Sequence, residues 1–242
     1  MKNTLVKTFF YLSLISTLIF VLSGYGYQWG LWGLGTGFTL LRYGAYAAIG
    51  LAIIQTTFFF FMKDSGISAK AMILTGFLVT LLISATAIYW QYKARSVPPI
   101  HDITTDIQNP PEFVAMERLR ADAPNPPEYA GEETAEQQRE AYPDIQPITI
   151  SAPVQEVIDE IVMIVSDRGW KLVSINRQDG RIEATEKLAW FGFKDDVVFR
   201  VTETNDGTRV DMRSKSRIGR SDVGVNADRI SQFLSDLETQ LE

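Results

Sequence analysis

Three regimes of apolar and polar spacing follow one another along the chain: long uncharged apolar runs up to residue 92, a proline-punctuated polar stretch, and a regular alternation from residue 146. The first regime holds uncharged runs at residues 9–24, 44–62 and 71–90. With its uncharged continuation the first reaches the ~20 residues that cross ~30 Å of hydrocarbon. Only a helix satisfies the backbone hydrogen bonds of such a segment internally, so three membrane helices are predicted at about 8–24, 44–62 and 71–90. Tyr25, Tyr27, Trp29, Trp32, Trp90 and Tyr92 flank their ends as interfacial anchors do. A cleaved leader is the competing reading of the first run, but two further spans follow and no Ala-x-Ala exit is present. Lys2, Lys7, Lys63 and Lys70 then share one side of the membrane against Arg42, Lys93 and Arg95. This balance favours an inside amino terminus, with residues 93–242 outside the cytoplasmic (inner) membrane of a bacterial cell. Between the first two spans, GYGYQWGLWGLGTG at 24–37 carries glycines four apart, at 26 and 30 and at 33 and 37. That spacing suits a helix contact, but the glycine density reads better as an interfacial or re-entrant loop. No charge lies inside a span, which argues against a transporter or pump.

From residue 146 the periodicity predicts a strand at 146–150 and a helix capped by Ser151, with Pro153 and Glu156 in its first turn. Val154, Val157, Ile158, Ile161 and Val165 form its buried stripe, Gly169 stops it, and Trp170 folds back on the last turn. Strands follow at 171–176 and 181–186, joined through Gln178-Asp179-Gly180, and at 196–204 and 208–217, joined through Asn205-Asp206-Gly207. A last helix at 226–241 buries Ile230, Phe233, Leu234, Leu237 and Leu241. The order βαββββα predicts an α+β domain, a mainly antiparallel sheet with two helices on one face. If Asp206-Gly207 is the turn, paired positions of the second hairpin sum to 413, so Val201 faces Met212 and Arg200 faces Arg213. Val197, Phe199, Val201, Val210 and Met212 then point to the core, while Arg200, Arg209, Arg213, Lys215 and Arg217 point the other way.

All ten prolines fall between residues 98 and 153. They mark residues 93–145 as an extended arm between a membrane domain, 1–92, and the α+β domain, 146–242. Within the arm only residues 128–140 suggest a short polar helix. Charge follows the same division. Residues 1–92 hold five bases and one acid, net +4, and the rest hold 18 bases and 28 acids, net −10. This disfavours a nucleic-acid partner. With no cysteine and one histidine, disulfides, cysteine-ligated clusters and multi-histidine metal centres are excluded, and no motif calls for a cofactor or a metal.

Three features carry candidate chemistry. Arg200, Arg213, Lys215 and Arg217, with Arg220, Asp222 and Asn226 in the following turn, form a candidate anion site near a helix start. The competing reading is a sheet face neutralised by acids of the arm. Trp190, Phe191 and Phe193, around Gly192, either bury one another or contact a membrane or partner. His101, followed by Asp102 and Asp106, is the only available imidazole base, although sequence proximity alone makes a hydrogen-bonding role for HDITTD the simpler reading.

IHDITTD at 100–106, DRGW at 167–170, GFKDDVVFRV at 192–201 and RSKSRIGRSDVGVNADRI at 213–230 resemble the motifs of the domain of unknown function 1499 family. The resemblance covers residues 98–241 and implies one integrated domain that includes the arm, with no established reaction to carry over. The sequence thus predicts a membrane-anchored module that meets the lipid bilayer and binds an envelope protein or an anionic ligand. The alternative is an envelope hydrolase using His101 with nearby acids.

Overall fold

The computed structural model describes residues 2–62 and 65–241, with the side chain of Lys2 outside that description. Lys63 and Asp64, which the sequence sets at the end of the second span, lie outside the described residues. The chain divides into two compact units, one of residues up to 92 together with Trp190–Gly192, the other of residues 93–189 with those from 193 onward.

The first unit is built on α1 (Lys2–Gln28), α2 (Leu34–Phe60) and α3 (Ile67–Ser96). All three are long and apolar enough to cross a membrane. Residues 24–28 and 34–37 are helical, so the expected loop over 24–37 shrinks to a turn at 29–33. Gly26 has a local reason: a Cβ there would lie 2.0 Å from the Trp32 ring, which folds back so that its Nε1 donates to Ser23 O at 3.1 Å. One polar cluster joins all three helices. Gln55 Nε2 donates to Ser13 Oγ at 2.9 Å and Thr80 Oγ1 to Gln55 Oε1 at 3.3 Å, with all three side chains fully buried. In hydrocarbon such groups hold helices together because no water replaces the lost partner. In the same unit Trp190 Nε1 donates to Val21 O at 2.8 Å, and the Phe191 ring lies 5.3 Å from that of Phe38.

The second unit contains β1 (Asp102–Thr104), a 3-10 turn at Glu117–Arg120, α4 (Glu132–Ala141), β2 (Ile148–Ile150), α5 (Val154–Asp167), β3 (Lys171–Asn176), β4 (Arg181–Lys187), β5 (Lys194–Thr204), β6 (Gly207–Ser216) and α6 (Val225–Leu241). From residue 146 the order is the expected βαββββα. The arm is more structured than its prolines suggest, since it supplies β1 and α4. All strand pairs are antiparallel in the order β1-β6-β5-β4-β3, and β2 pairs with the other half of β6. Helix α5 starts at Val154 with Pro153 as its cap residue and no side-chain capping bond, so Ser151 does not cap it. It ends as predicted: Gly169 has φ +67°, and Trp170 N donates to Val165 O at 3.0 Å. The main core lies between the helices and one sheet face, where Val157, Ile158 and Ile161 of α5 and Ile230, Phe233 and Leu237 of α6 meet Ile182, Val197, Phe199, Val201, Val210 and Met212.

The second hairpin differs from expectation in register. Thr204 pairs with Gly207 and Val201 with Val210, so the turn residues are Asn205 and Asp206 and Arg200 faces Asp211 rather than Arg213. A two-residue shift leaves every side chain on its face, and here it replaces a like-charge pair by an ion pair. Gly180 closes the other hairpin at φ +62°, where a Cβ would lie 2.0 Å from Val201 O.

Replacing Gln55 by Leu removes the only side chain that bonds both Ser13 and Thr80 among the described contacts. We expect a loss of about 0.5–2 kcal/mol in the stability of the helical unit, read by unfolding in mixed micelles. A variant as stable as the parent would show that the cluster contributes nothing.

Candidate functional site

Along β6 the run Arg213-Ser214-Lys215-Ser216-Arg217 obeys the two-residue rule of a strand. The three bases turn to the face covered by the arm, and the two serines turn to the face covered by α6. The candidate anion site is not an exposed positive patch, since Arg213 is 2% and Lys215 1% exposed, and the competing reading of a face neutralised by acids holds for them. Three centres of ion pairing account for it.

In the first, Asp102 of β1, itself fully buried, receives Arg213 Nε on Oδ1 at 2.9 Å and Arg213 Nη2 on Oδ2 at 2.9 Å, with Lys215 Nζ 3.1 Å from Oδ2. The same arginine donates to Pro111 O (3.1 Å) and Pro127 O (3.0 Å), lying 4.8 Å from the centroid of Phe113 and 5.4 Å from that of Tyr129. Lys215 also donates to Glu128 O at 2.5 Å. Burial lowers the Lys215 pKa, and Asp102 opposes that shift. Burial beside Asp102 pushes the Tyr129 phenol up to about 12.

The second centre is Asp196, which accepts Arg120 Nη1 at 2.7 Å, Arg217 Nε at 2.8 Å, Arg217 Nη2 at 2.9 Å and the Thr185 hydroxyl at 2.7 Å. In the third, Asp211 and Asp106 share Arg200 and Arg209 over contacts of 2.9–3.2 Å. Beside them the buried Glu183 carboxylate accepts the successive backbone amides of Val114, Ala115 and Met116 at 2.9–3.1 Å. Hydrogen bonds from arginines to carbonyls also come back from the arm, so the sheet holds it at residues 102–130 by charge and by backbone.

On the opposite face Asn226 does not offer its amide to a ligand. Its Oδ1 accepts Ser214 Oγ at 2.7 Å and Arg229 Nη1, while its Nδ2 donates to His101 O (3.0 Å) and Ser216 Oγ (3.1 Å). Arg229 continues to Glu186 and Asp195, both at 2.6 Å. Asp222 accepts the amides of Gly224 and Asn226, each at 2.8 Å, and holds the start of α6; burial raises its pKa against those two bonds. Between them Val223 stands at φ +57°, a strained setting for a β-branched residue, braced by Ser221 Oγ accepting its amide at 3.1 Å. Arg220 is exposed. His101 Nδ1 lies 3.4 Å from Arg220 O, and burial, partly offset by that contact, lowers its pKa. Asp102 gives its carboxylate to Arg213 and Lys215, so His101 and Asp102 do not form a hydrogen-bonded dyad among the described contacts.

Sequence reasoning missed Arg120, Glu183, Asp195 and Arg229 as members of these networks, whereas Asp196, which the strand pattern sets against Arg217, is indeed that arginine's partner at 2.8 Å. One signal was present: Asp195-Asp196 are adjacent in a strand and so point to opposite faces, one to Arg229 and the other to Arg120 and Arg217. Trp190 and Phe191 belong to the helical unit, while Phe193 closes the β4–β5 hairpin by accepting Leu188 N at 2.8 Å. Among the described residues no three His, Asp or Glu side chains converge as metal ligands.

Substituting Asp102 by Asn keeps its shape but strands two buried cations. A loss of about 3–5 kcal/mol is expected in denaturant unfolding of the full chain, whereas a triple replacement of Asp102, Arg213 and Lys215 by Leu, Met and Met should cost far less. Equal losses in the two variants would place the stabilisation in packing rather than in charge compensation.

No curated protein sequence matches the chain. The profile of a family described as Protein of unknown function (DUF1499) matches residues 102–237, four residues inside each end of the stretch its motifs suggested. It begins at Asp102, the acid on which the arm closes, and ends at Leu237 in the core stripe of α6. It spans both faces of the sheet and all the ion-pair centres. The chain therefore belongs to the DUF1499 family, here joined to three helices able to cross a membrane.

Proposed function

We propose that this membrane protein is a non-catalytic binding module of the bacterial inner membrane, with its α+β domain on the extracytoplasmic side and a protein partner that presents a basic surface. One observation carries the reading: buried charges of both signs pair with one another, whereas the exposed surface of the arm is predominantly acidic. Arg213, Lys215 and Arg120 are buried, whereas Glu112, Glu128, Glu132, Glu133, Glu136 and Glu140 of the arm are exposed. An acidic exterior attracts a cationic surface and repels anionic lipid over the ~8–10 Å reach of electrostatics at physiological salt. The site expected at Arg200, Arg213, Lys215 and Arg217 is thereby narrowed, because its strongest donors already have carboxylate partners.

The hydrolase reading has one feature in its favour, a histidine whose pKa burial lowers, which favours the unprotonated imidazole that a general base needs. Against it, the ring's described hydrogen-bond partner is a backbone carbonyl and not a nucleophile or an orienting acid. His101→Gln should therefore leave the cellular role intact.

A photo-crosslinking residue at Glu136 of the full-length chain, in native membranes, should give a discrete protein adduct. Combined Glu132→Lys, Glu133→Lys and Glu140→Lys changes should reduce it several-fold, as should added salt. An adduct unaffected by charge reversal would overturn the basic-partner reading. For orientation, protease added to intact spheroplasts should digest the α+β domain and spare a cytoplasmic control. Protection until detergent is added would reverse the assigned topology.

A further inference from the structure

We propose that the hollow where the arm passes the β3–β4 turn is a binding site for a small zwitterion, a molecule carrying one phosphate or carboxylate and one ammonium group. This refines the binding-module reading and rests on it, but it uses a different surface from α4. The hollow has a volume of about 350 Å³, within the ~300–1,000 Å³ range of small-molecule sites. Asn109, Pro111 and Glu112 of the arm, Asp179 of the turn, and Arg181 and Arg200 of the sheet line it.

Arg181 and Arg200 are direct cross-strand neighbours in the β4–β5 pairing. Two like charges so placed repel, and elsewhere on this face each base is answered by a close carboxylate. Arg200 follows that rule through Asp106 and Asp211, at 3.1 and 3.0 Å. Arg181 does not. Its Nη2 is 3.5 Å from Asp179 and its Nε 3.4 Å from Glu183 Oε1, an oxygen already accepting the amides of Val114 and Ala115. The buried Nε has no hydrogen-bond partner among the described residues. That nitrogen is closed to solvent, so a ligand in the hollow meets the part-exposed guanidinium through its terminal nitrogens, for which a carboxylate or phosphate oxygen is the fitting acceptor.

A simple anion meets an obstacle, because Glu112 and Asp179 line the same space. A ligand that brings an ammonium group to these carboxylates and an anionic oxygen to Arg181 answers both signs at once. The amide side chain of Asn109 adds a neutral donor and acceptor on the arm side. Since the lining comes from the arm as well as the sheet, ligand binding also requires the arm to be closed.

The test uses the purified full-length protein in detergent micelles and calorimetric titration with four probes: phosphoethanolamine, glycine, glycerol 3-phosphate and ethanolamine. At least one zwitterion should bind tenfold or more tightly than either singly charged probe, and Arg181→Gln should weaken it at least tenfold. Preference for phosphoethanolamine assigns a lipid-headgroup chemistry, and preference for glycine assigns an amino-acid chemistry. If Arg181→Gln fails to fold, the Glu112→Gln, Asp179→Asn variant serves instead: it should abolish the advantage of the zwitterion over glycerol 3-phosphate. No saturation by either zwitterion at millimolar concentration would overturn the proposal, as would equal binding of a singly charged probe or unchanged binding by these variants. Such a failure leaves the α4 crosslink untouched, so loss of the site and loss of the binding-module reading are separable.

Discussion

A sheet face that carries Arg200, Arg209, Arg213, Lys215 and Arg217 can be buried only if acids are delivered to it. Desolvating an unpaired guanidinium or ammonium costs several kcal/mol, more than the burial of a neighbouring apolar side chain returns. Some acids come from the sheet itself, as Asp196 and Asp211 do. The buried pair Arg213 and Lys215, however, depends on Asp102, which lies 111 and 113 positions earlier in the chain. The arm must therefore cross the sheet. Its route, β1 beside β6 and then carbonyls offered at Pro111, Pro127 and Glu128, follows the donors that need to be met.

The same constraint organises residues 213–230, where strand, turn and helix meet. Alternation along β6 sends Arg213, Lys215 and Arg217 to the arm and Ser214 and Ser216 to α6, so one strand organises two polar layers. On the α6 side Asn226 bridges Ser214, Ser216 and the carbonyl of His101, which ties the start of β1 to the helix. Asp222 both accepts amides at the helix start and donates its own amide to Ile100 O at 3.0 Å. The strained Val223 persists because bonds on each side of it over-determine the turn. These residues are spent on tying β1 and the arm to the start of α6.

Charge pairing then distinguishes the interior of the domain from its exterior. Short-range pairing decides the interior, where distances near 3 Å outweigh net charge. Long-range attraction decides the exterior, and there the exposed glutamates of α4 dominate. Arg181 stands at the boundary between these layers, in contact with carboxylates but without the close bonds its neighbours make.

Local physics was enough to read the three apolar helices, the βαββββα order, the Gly169 stop and the assignment of each β5 and β6 residue to a face, because each depends on spacing within a few residues. The resemblance of residues 98–241 also indicated that arm and domain belong together. The register of the β5–β6 hairpin was not legible: pairing sums of 413 and 411 leave the same residues on the same face, so the hydrophobic pattern is blind to the difference. Only the completed sheet, with Arg200 opposite Asp211, distinguishes them. Likewise a spacing rule shows that Arg213 and Lys215 share a face but not whether that face is wet. Tertiary structure decided it, because the acid that neutralises them arrives from a distant segment and its proximity is encoded by the fold rather than by any local interval.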